Sequence, residues 1–248
     1  MALYDFTAPR LFVEADLAEG RVLPLERAQA NYLLTVLRKS EGEPVLLFNG
    51  RDGEWRADLV PNGRKSAELR IVARTRHQPA PPDLHYLFAP LKTGRLDYMA
   101  QKAVEMGAGT LCPVFTRFTQ GERIKLDRLR ANAIEAAEQC GILAIPDIAE
   151  PVRLPTALDA LEPERLLVFC DEDAPVADPV AALRGAAAGA PPLAVLVGPE
   201  GGFHEEERAL IAARPNTVAL SLGPRILRAD TAAVAVMALV QAVLGDAR

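Results

Sequence analysis

The chain has 248 residues, half of them hydrophobic and a quarter charged, with a net charge of −5 and an isoelectric point near 5.4. That length suits one large domain or two unequal ones, and the acidic balance argues against a strongly basic nucleic-acid binder, whose domain value is typically above about 9. No apolar run approaches the roughly 18 residues of a bilayer span, so no membrane partner is expected. The opening stretch MALYDFTAPRLF carries Asp5 and Arg10 where a signal peptide needs an unbroken apolar core. The three cysteines (Cys112, Cys140, Cys170) form no CxxC pair, which points to a reducing, cytoplasmic location. His77, His85 and His204 are scattered without ligand spacing, so no metal site is expected.

Residues 1–76 read as short strands and turns. PVLLFNGRDGEW sets Asn49-Gly50 and Asp52-Gly53 between apolar runs, a hairpin signal because these pairs tolerate positive φ. EWRADLV and SAELRIVA alternate apolar and polar residues at the strand period. One helix, AQANYLLTVLRK around 28–39, interrupts them with Tyr32, Val36 and Leu37 near one face. The expectation is a small β-barrel. RHQPAPPD, Arg76 to Asp83, then breaks the chain with three prolines in four residues, and the domain joint is placed there, with 77–83 as linker.

Beyond the joint the period changes. LHYLFAPL (84–91) reads as a buried strand and RLDYMAQKAVEM (95–106) as a helix with Leu96, Met99, Ala103 and Met106 on one face. TLCPVF is a strand and LDRLRANAIEAAEQC a helix ending at Gly141. Then RLLVFC, VADPVAALRGAA, LAVLVG, EEERALIAAR and TVALSL alternate strand and helix, before a long helix from about Ala229 to Leu244. Such alternation indicates an α/β domain with a parallel sheet, whose ligands bind beyond the carboxyl ends of the strands. The last helix is apolar nearly all round, which predicts burial on every side, in the core alone or also against a second subunit.

Two strand ends carry glycine loops, LVGPEGGFHEEE (196–207) and LSLGPRILRADTAA (220–233). Neither is a phosphate loop: no lysine follows Gly202, and Gly198, Gly201 and Gly202 lack dinucleotide-fold spacing. By itself the first loop is equally readable as a tight turn whose glutamates favour a helix N-terminus. Together the loops offer backbone polar groups, apolar lining and few charges, which suits an adenine and a cationic sulfonium better than a triphosphate.

These two loops closely resemble the RsmE family of 16S ribosomal RNA uridine-N3 methyltransferases, in the SPOUT superfamily. The resemblance covers nearly the whole chain: NYLLTVLR (31–38) and LLFNGRDGEW resemble the family's PUA-like N-terminal barrel, and LKTGRLDYMAQKAVEMG and IEAAEQCG its middle signatures. It implies an α/β fold with a PUA-like β-barrel over 1–76 and a parallel-sheet SPOUT domain with a deep trefoil knot over 84–248. It further implies S-adenosylmethionine as cofactor, 16S rRNA within the small ribosomal subunit as partner, the uridine at its position 1498 as target, and a homodimer. On this resemblance the cofactor-binding residues are Leu196, Gly198, Pro199, Glu200, Gly201 and Gly202 in the first loop, and Leu222, Gly223, Ile226, Leu227, Arg228 and Thr231 in the second. The sequence departs from the commoner family pattern at Asp230 (usually Glu), His204 (usually Ser or Thr) and Ile142 (often Arg).

Methylation at N3 needs help in losing the N3 proton, so a guanidinium near the uracil oxygens is expected to stabilise the imidate. Arg228 is the candidate catalytic residue and Arg225 its reserve, the bland alternative for Arg228 being an ion pair with Asp230 or Glu200. Glu200 is a second catalytic candidate, as base-positioning group or proton acceptor, with an ordinary turn carboxylate as the alternative. For RNA, the expected contacts are Arg10, Arg38, Lys39, Arg51, Arg56, Arg64, Lys65 and Arg225, any of which is otherwise a solvated surface charge. A knotted transfer-RNA ribose methyltransferase and a non-catalytic ribosome-binding module are the other readings left open.

Overall fold

The computed structural model describes residues 7–63, 66–120, 123–175, 178–186 and 191–245. The chain divides into two compact units, one of Met1–Ala80 with Ala137–Ile145, the other of Pro81–Ala136 with Pro146–Arg248. The short stretch 137–145 thus belongs with the first unit although it follows residues 81–136 of the second. Among the described residues no helix is long and apolar enough to cross a membrane.

The first unit contains β1 (Arg10–Phe12), β2 (Val22–Pro24), α1 (Arg27–Asn31), β3 (Pro44–Phe48), β4 (Glu54–Pro61) and β5 (Ala67–Arg76). They form one mixed sheet in the order β1-β3-β4-β5-β2, with β1 parallel to β3 and the other pairs antiparallel. Register breaks at Glu54/Trp55 and Arg56/Ala57 bend β4, as bulges do, and curl the sheet. The expected barrel is therefore a half-barrel, with β1 and β2 as its edges. Period-two alternation puts Ala57 and Leu59 of β4 opposite Ile71 and Leu69 of β5, all buried with Leu11, Leu23, Leu33, Val45 and Leu47. The Asn49 turn is fixed by its own side chain, whose Oδ1 accepts from the amides of Arg51 (3.1 Å) and Asp52 (2.9 Å).

The helix expected over 28–39 is corrected in two respects. After α1 the backbone widens into a π-helix over Tyr32–Val36, and the helix stops where Arg38 takes φ 54°. The extra residue per turn rotates the face, so Leu33 and Ala30 are buried while Val36 and Leu37 are exposed. Ile142 packs with Phe12, Phe48 and Leu143 in a small apolar cluster, which makes it a packing residue.

The second unit contains β6 (Leu84–Phe88), α2 (Thr93–Glu105), β7 (Thr110–Phe115), α3 (Leu126–Cys140), β8 (Asp147–Ile148), β9 (Val152–Arg153), α4 (Leu154–Asp159), β10 (Leu166–Cys170), α5 (Pro179–Ala186), β11 (Leu193–Val197), α6 (Glu205–Ala213), β12 (Thr217–Leu220) and α7 (Ala229–Val243). Only the end of α3, from Ala137, passes to the first unit. The sheet is parallel throughout, in the order β12-β10-β11-β6-β7-β8, with β9 pairing β7. Its central strands are apolar runs because both faces are covered: LAVLV of β11 is buried at every position. Leu87, Val114, Phe169, Leu196, Phe203 and Ile211 share one cluster with α4, an element whose short TALD run the sequence periodicity does not reveal.

Within one chain α7 is covered on part of its circumference only. Ala233, Val236, Met237, Val240 and Gln241 are buried, and the helix packs on α2 and β11. Thr231, Ala238 and Ala242 are exposed, with Val234 and Ala235 half-buried between them. One small, mostly apolar stripe of the helix is open.

Candidate functional site

β10 pairs with both β11 and β12, so three parallel strands end side by side at Cys170, Val197 and Leu220. The loops after them line a cleft that is open to solvent. Of the expected cofactor residues, Gly198, Pro199, Glu200, Gly202, Leu222, Gly223, Ile226 and Leu227 line it, as does Arg225. Leu196 instead belongs to the apolar core, Gly201 lines a neighbouring hollow, and Arg228 and Thr231 stand exposed outside the lining.

Asp171 and Glu172, just past β10, also line the cleft and were not anticipated. The rule that ligands sit beyond strand ends could have found them, since β10 lies between the two glycine-bearing strands. Asp171, Glu172 and Asp173 are a carboxylate group with metal-ligand spacing. Arg208 engages all three, contacting Asp171 and bonding Glu172 at 2.9 Å and Asp173 at 2.8 Å, so one guanidinium offsets part of their charge. Cys170 also lines the cleft, and burial pushes its thiol up to about 12, which favours the protonated form over the nucleophilic thiolate.

Each glycine of GPEGG answers a specific demand. A side chain on Gly198 would overlap the Phe203 ring, which packs edge-on to Phe169 at 5.0 Å. One on Gly201 would come 3.2 Å from the Cβ of Phe118. Gly202 has φ 68°, the left-handed region, and faces Glu172 Oε1. The glutamates that follow start a helix. His204 is the N-cap of α6, its Nδ1 accepting from the Glu206 amide at 3.3 Å, while Glu207 accepts from the His204 amide at 3.0 Å. Glu207 does one thing more, accepting from the Arg117 amide at 2.8 Å and so tying α6 to the loop after β7.

Arg95, in the first turn of α2, holds both loops. Its Nε and Nη2 bond the two oxygens of Asp230 at 3.0 and 2.9 Å, and its Nη1 contacts Glu200. These hydrogen bonds are the first reason the Asp230 carboxyl lies below its ordinary value. Glu200 and Asp230 are thus the partners of Arg95 and not of Arg228. The Arg228 guanidinium forms no hydrogen bond or ion pair among the described residues, and its backbone is the N-cap of α7.

Apart from Arg225 in the cleft, the expected RNA-contacting cations fall into three groups. Arg10 is buried, its Nε on Glu54 at 2.9 Å, so it is a structural cation and not a surface one. Lys39, Arg51 and Arg56 pair with Glu43, Asp16 and Asp58, and Arg51 and Arg56 are exposed, as is Arg38. Arg64 and Lys65 lie outside the described residues.

Comparison with known proteins bears on this geometry. Residues 78–241 match a family described as an RNA methyltransferase domain, and residues 25–72 one described as an RNA methyltransferase PUA domain. A ribosomal RNA small subunit methyltransferase E from Rickettsia conorii is 29% identical over 233 residues, 94% of each chain. The protein of that name from Synechocystis sp. is 30% identical, over 98% of this chain and 78% of its own. The crystal structure of a ribosomal RNA small subunit methyltransferase E from Neisseria gonorrhoeae, bound to S-adenosyl methionine, is similar with a TM-score of 0.83 at 27% identity, over 96% of this chain and 99% of that one.

Proposed function

We propose that this chain, which belongs to the ribosomal RNA small subunit methyltransferase E family, transfers a methyl group from S-adenosylmethionine to N3 of a uridine in the 16S rRNA of the small ribosomal subunit. The observation that carries this is the convergence of the two glycine loops and the end of β10 on one cleft whose described lining holds a single cation, Arg225. A triphosphate would demand more positive charge there. The donor set fits a nucleoside sulfonium: apolar Leu222, Ile226 and Leu227 for adenine, Asp171 and Glu172 as acceptors for ribose hydroxyls, and loop amides for a carboxylate.

When bound, S-adenosylmethionine supplies a methyl carbon on a positive sulfur; the carbon–sulfur pair stays on sulfur, and N3 provides the pair for the new bond as it gives up its proton. The chain must position the base in line and ease that proton loss. Arg228, exposed and uncommitted, is suited to neutralise charge spreading onto a uracil oxygen, with Arg225 as the neighbouring cation. Glu200, held by Arg95 at the edge of the cleft, is suited to orient the base or to receive its proton.

Residues 1–76 act in this proposal as the RNA-binding unit through Arg38, Arg51 and Arg56. The open stripe of α7, with Ile226 91% exposed nearby in sequence, supports a homodimer. The return of α7 from β12 to pack on α2 and β11 supports the trefoil threading. A cytoplasmic site of action follows from the ribosomal substrate.

The test is mass spectrometry of 16S rRNA from a strain lacking the gene, with and without the protein restored. N3-methyluridine absent from the deletion and regained on restoration is expected; loss of a 2′-O-methyl mark instead, or of no mark, would refute the proposal.

A further inference from the structure

The cofactor cleft does not end at the glycine turn. An open hollow shares Pro199 and Glu200 with it and adds Leu91, Lys92, Phe118 and Gln120. A second open hollow shares Leu91 with the first and adds Arg123, Ile124 and Lys125. Three hollows therefore run in series through the second unit, along the loops after β11, β6 and β7.

We propose that the two outer hollows receive the substrate strand: the target uracil stacks on Phe118 in the smaller one, Gln120 faces a uracil carbonyl, and the flanking phosphates lie over Lys92, Arg123 and Lys125. The assignment rests on the uridine methylation proposed above and names the residues that present the base to it.

Phe118 is the first ground. It is 43% exposed, although it sits on a turn the sequence pins firmly. The Thr119 hydroxyl oxygen accepts from the Thr116 amide at 2.9 Å, the Thr119 amide donates to the Thr116 carbonyl at 3.2 Å, and Glu207 holds the Arg117 amide. An exposed aromatic ring on a pinned turn, against the glycine turn, is a ready stacking platform, and every base has a face to offer it. Gly201 lets the ring approach this closely, and the ring meets His204 edge-on at 6.1 Å.

Charge is the second ground. Lys92, Arg123 and Lys125 are exposed and form no ion pair among the described residues. Arg128 in the outer hollow differs, being bonded to Asp97 at 2.8 Å. The one carboxylate shared by the inner hollow and the cofactor cleft, Glu200, is met by Arg95, which lowers its repulsion of an incoming strand. Unpaired cations beyond a stacking ring match a single strand with its phosphates outermost.

The experiment uses the full-length protein and small ribosomal subunits from cells lacking the mark. Phe118→Ala is expected to lower kcat/KM by about tenfold or more, with S-adenosylmethionine affinity by calorimetry unchanged within about twofold. Phe118→Tyr, which keeps the ring, should restore the rate. Arg123→Ala with Lys125→Ala should reduce the slope of log binding constant against log salt by about 1.5, a readout that a merely loosened fold does not produce. If wild type methylates subunits while Phe118→Ala and the double variant stay within about twofold of it and keep its salt slope, the strand path is wrong and the methylation stands. If wild type itself leaves uridine N3 unmodified, both fall.

Discussion

Arg95 and Asp230, 135 positions apart in sequence, meet as a two-pronged pair, Nε to Oδ2 at 3.0 Å and Nη2 to Oδ1 at 2.9 Å. The same guanidinium reaches Glu200 of the GPEGG loop, so α2 fixes the spacing of the two loops that form the cleft. Asp230, one methylene shorter than the Glu usual at that place in the family, still presents both oxygens. A double-mutant cycle with Arg95→Met and Asp230→Asn, read as S-adenosylmethionine affinity, should return a coupling of about 1 kcal/mol or more. Additive losses would mean the pair does not set the loops. Arg95→Lys should recover only part of the loss, because an ammonium cannot bond both oxygens in parallel.

Gly198→Ala addresses the glycine turn directly. The added methyl overlaps the Phe203 ring, which is buried against Phe169, so one of them must move at a cost of about 1–3 kcal/mol. Cofactor affinity should fall with the melting temperature, and Phe203→Leu in the same chain should recover part of both. A Gly198→Ala protein with unchanged melting temperature and affinity would show that the ring yields freely.

How far the sequence carried depends on the range of the interaction. The alternation of TVALSL, LAVLVG and RLLVFC, and the glycine loops at their ends, are local patterns, and they located the parallel sheet and most of the cleft lining. Nothing in the sequence around Arg95 marks it out, because its partners lie 105 and 135 residues away. Arg10 looked like a surface cation for the same reason: Glu54 and the bends that bury it come 44 residues later. The π-helix after Asn31 has no sequence period of its own, so Val36 and Leu37 were assigned to a face that the widened turn rotates to solvent.

Glu54 offers a test in acid. It is buried, and burial alone would raise its carboxyl, but Arg76, Arg10 and Thr75 outweigh that and hold it below the ordinary 4.5. A depressed folded value means the stabilisation is complete above the unfolded value and is lost as pH falls through the folded one. Thermal unfolding from pH 7 down to pH 2 should therefore show a loss of stability below about pH 4.5. Glu54→Gln should lose about 1–3 kcal/mol at pH 7, since it takes the carboxylate charge away from the buried Arg10 and the part-buried Arg76, and its remaining decline in acid should be shallower. Parallel acid curves for the two proteins would remove Glu54 as the titrating group.

Tyr86 makes an opposite case. Its ring is fully buried on β6 and stacks on Phe88 at 5.3 Å, yet its hydroxyl has no hydrogen-bond partner among the described residues. A buried hydroxyl without a partner costs about 1–3 kcal/mol, and phenylalanine keeps the ring without that cost. Tyr86→Phe should raise the melting temperature by about 2–4 °C or more. A fall of that size would show that the hydroxyl has a partner.

Arg228 separates chemistry from binding. Its guanidinium forms no side-chain bond among the described residues, and Glu200 and Asp230 are already engaged by Arg95, so removing it should disturb little of the fold. Arg228→Ala is expected to leave S-adenosylmethionine affinity within a few-fold and the melting temperature within about 2 °C, while methylation of small subunits falls by about 100-fold or more, the loss seen when one preorganised donor to a developing anion is removed. A rise in the pH at which rate reaches half its maximum should accompany it, because the N3 proton loses the cation that eased its departure. An Arg228→Ala enzyme with near-wild-type kcat would transfer that role to Arg225, and the same two measurements on Arg225→Ala would then decide it.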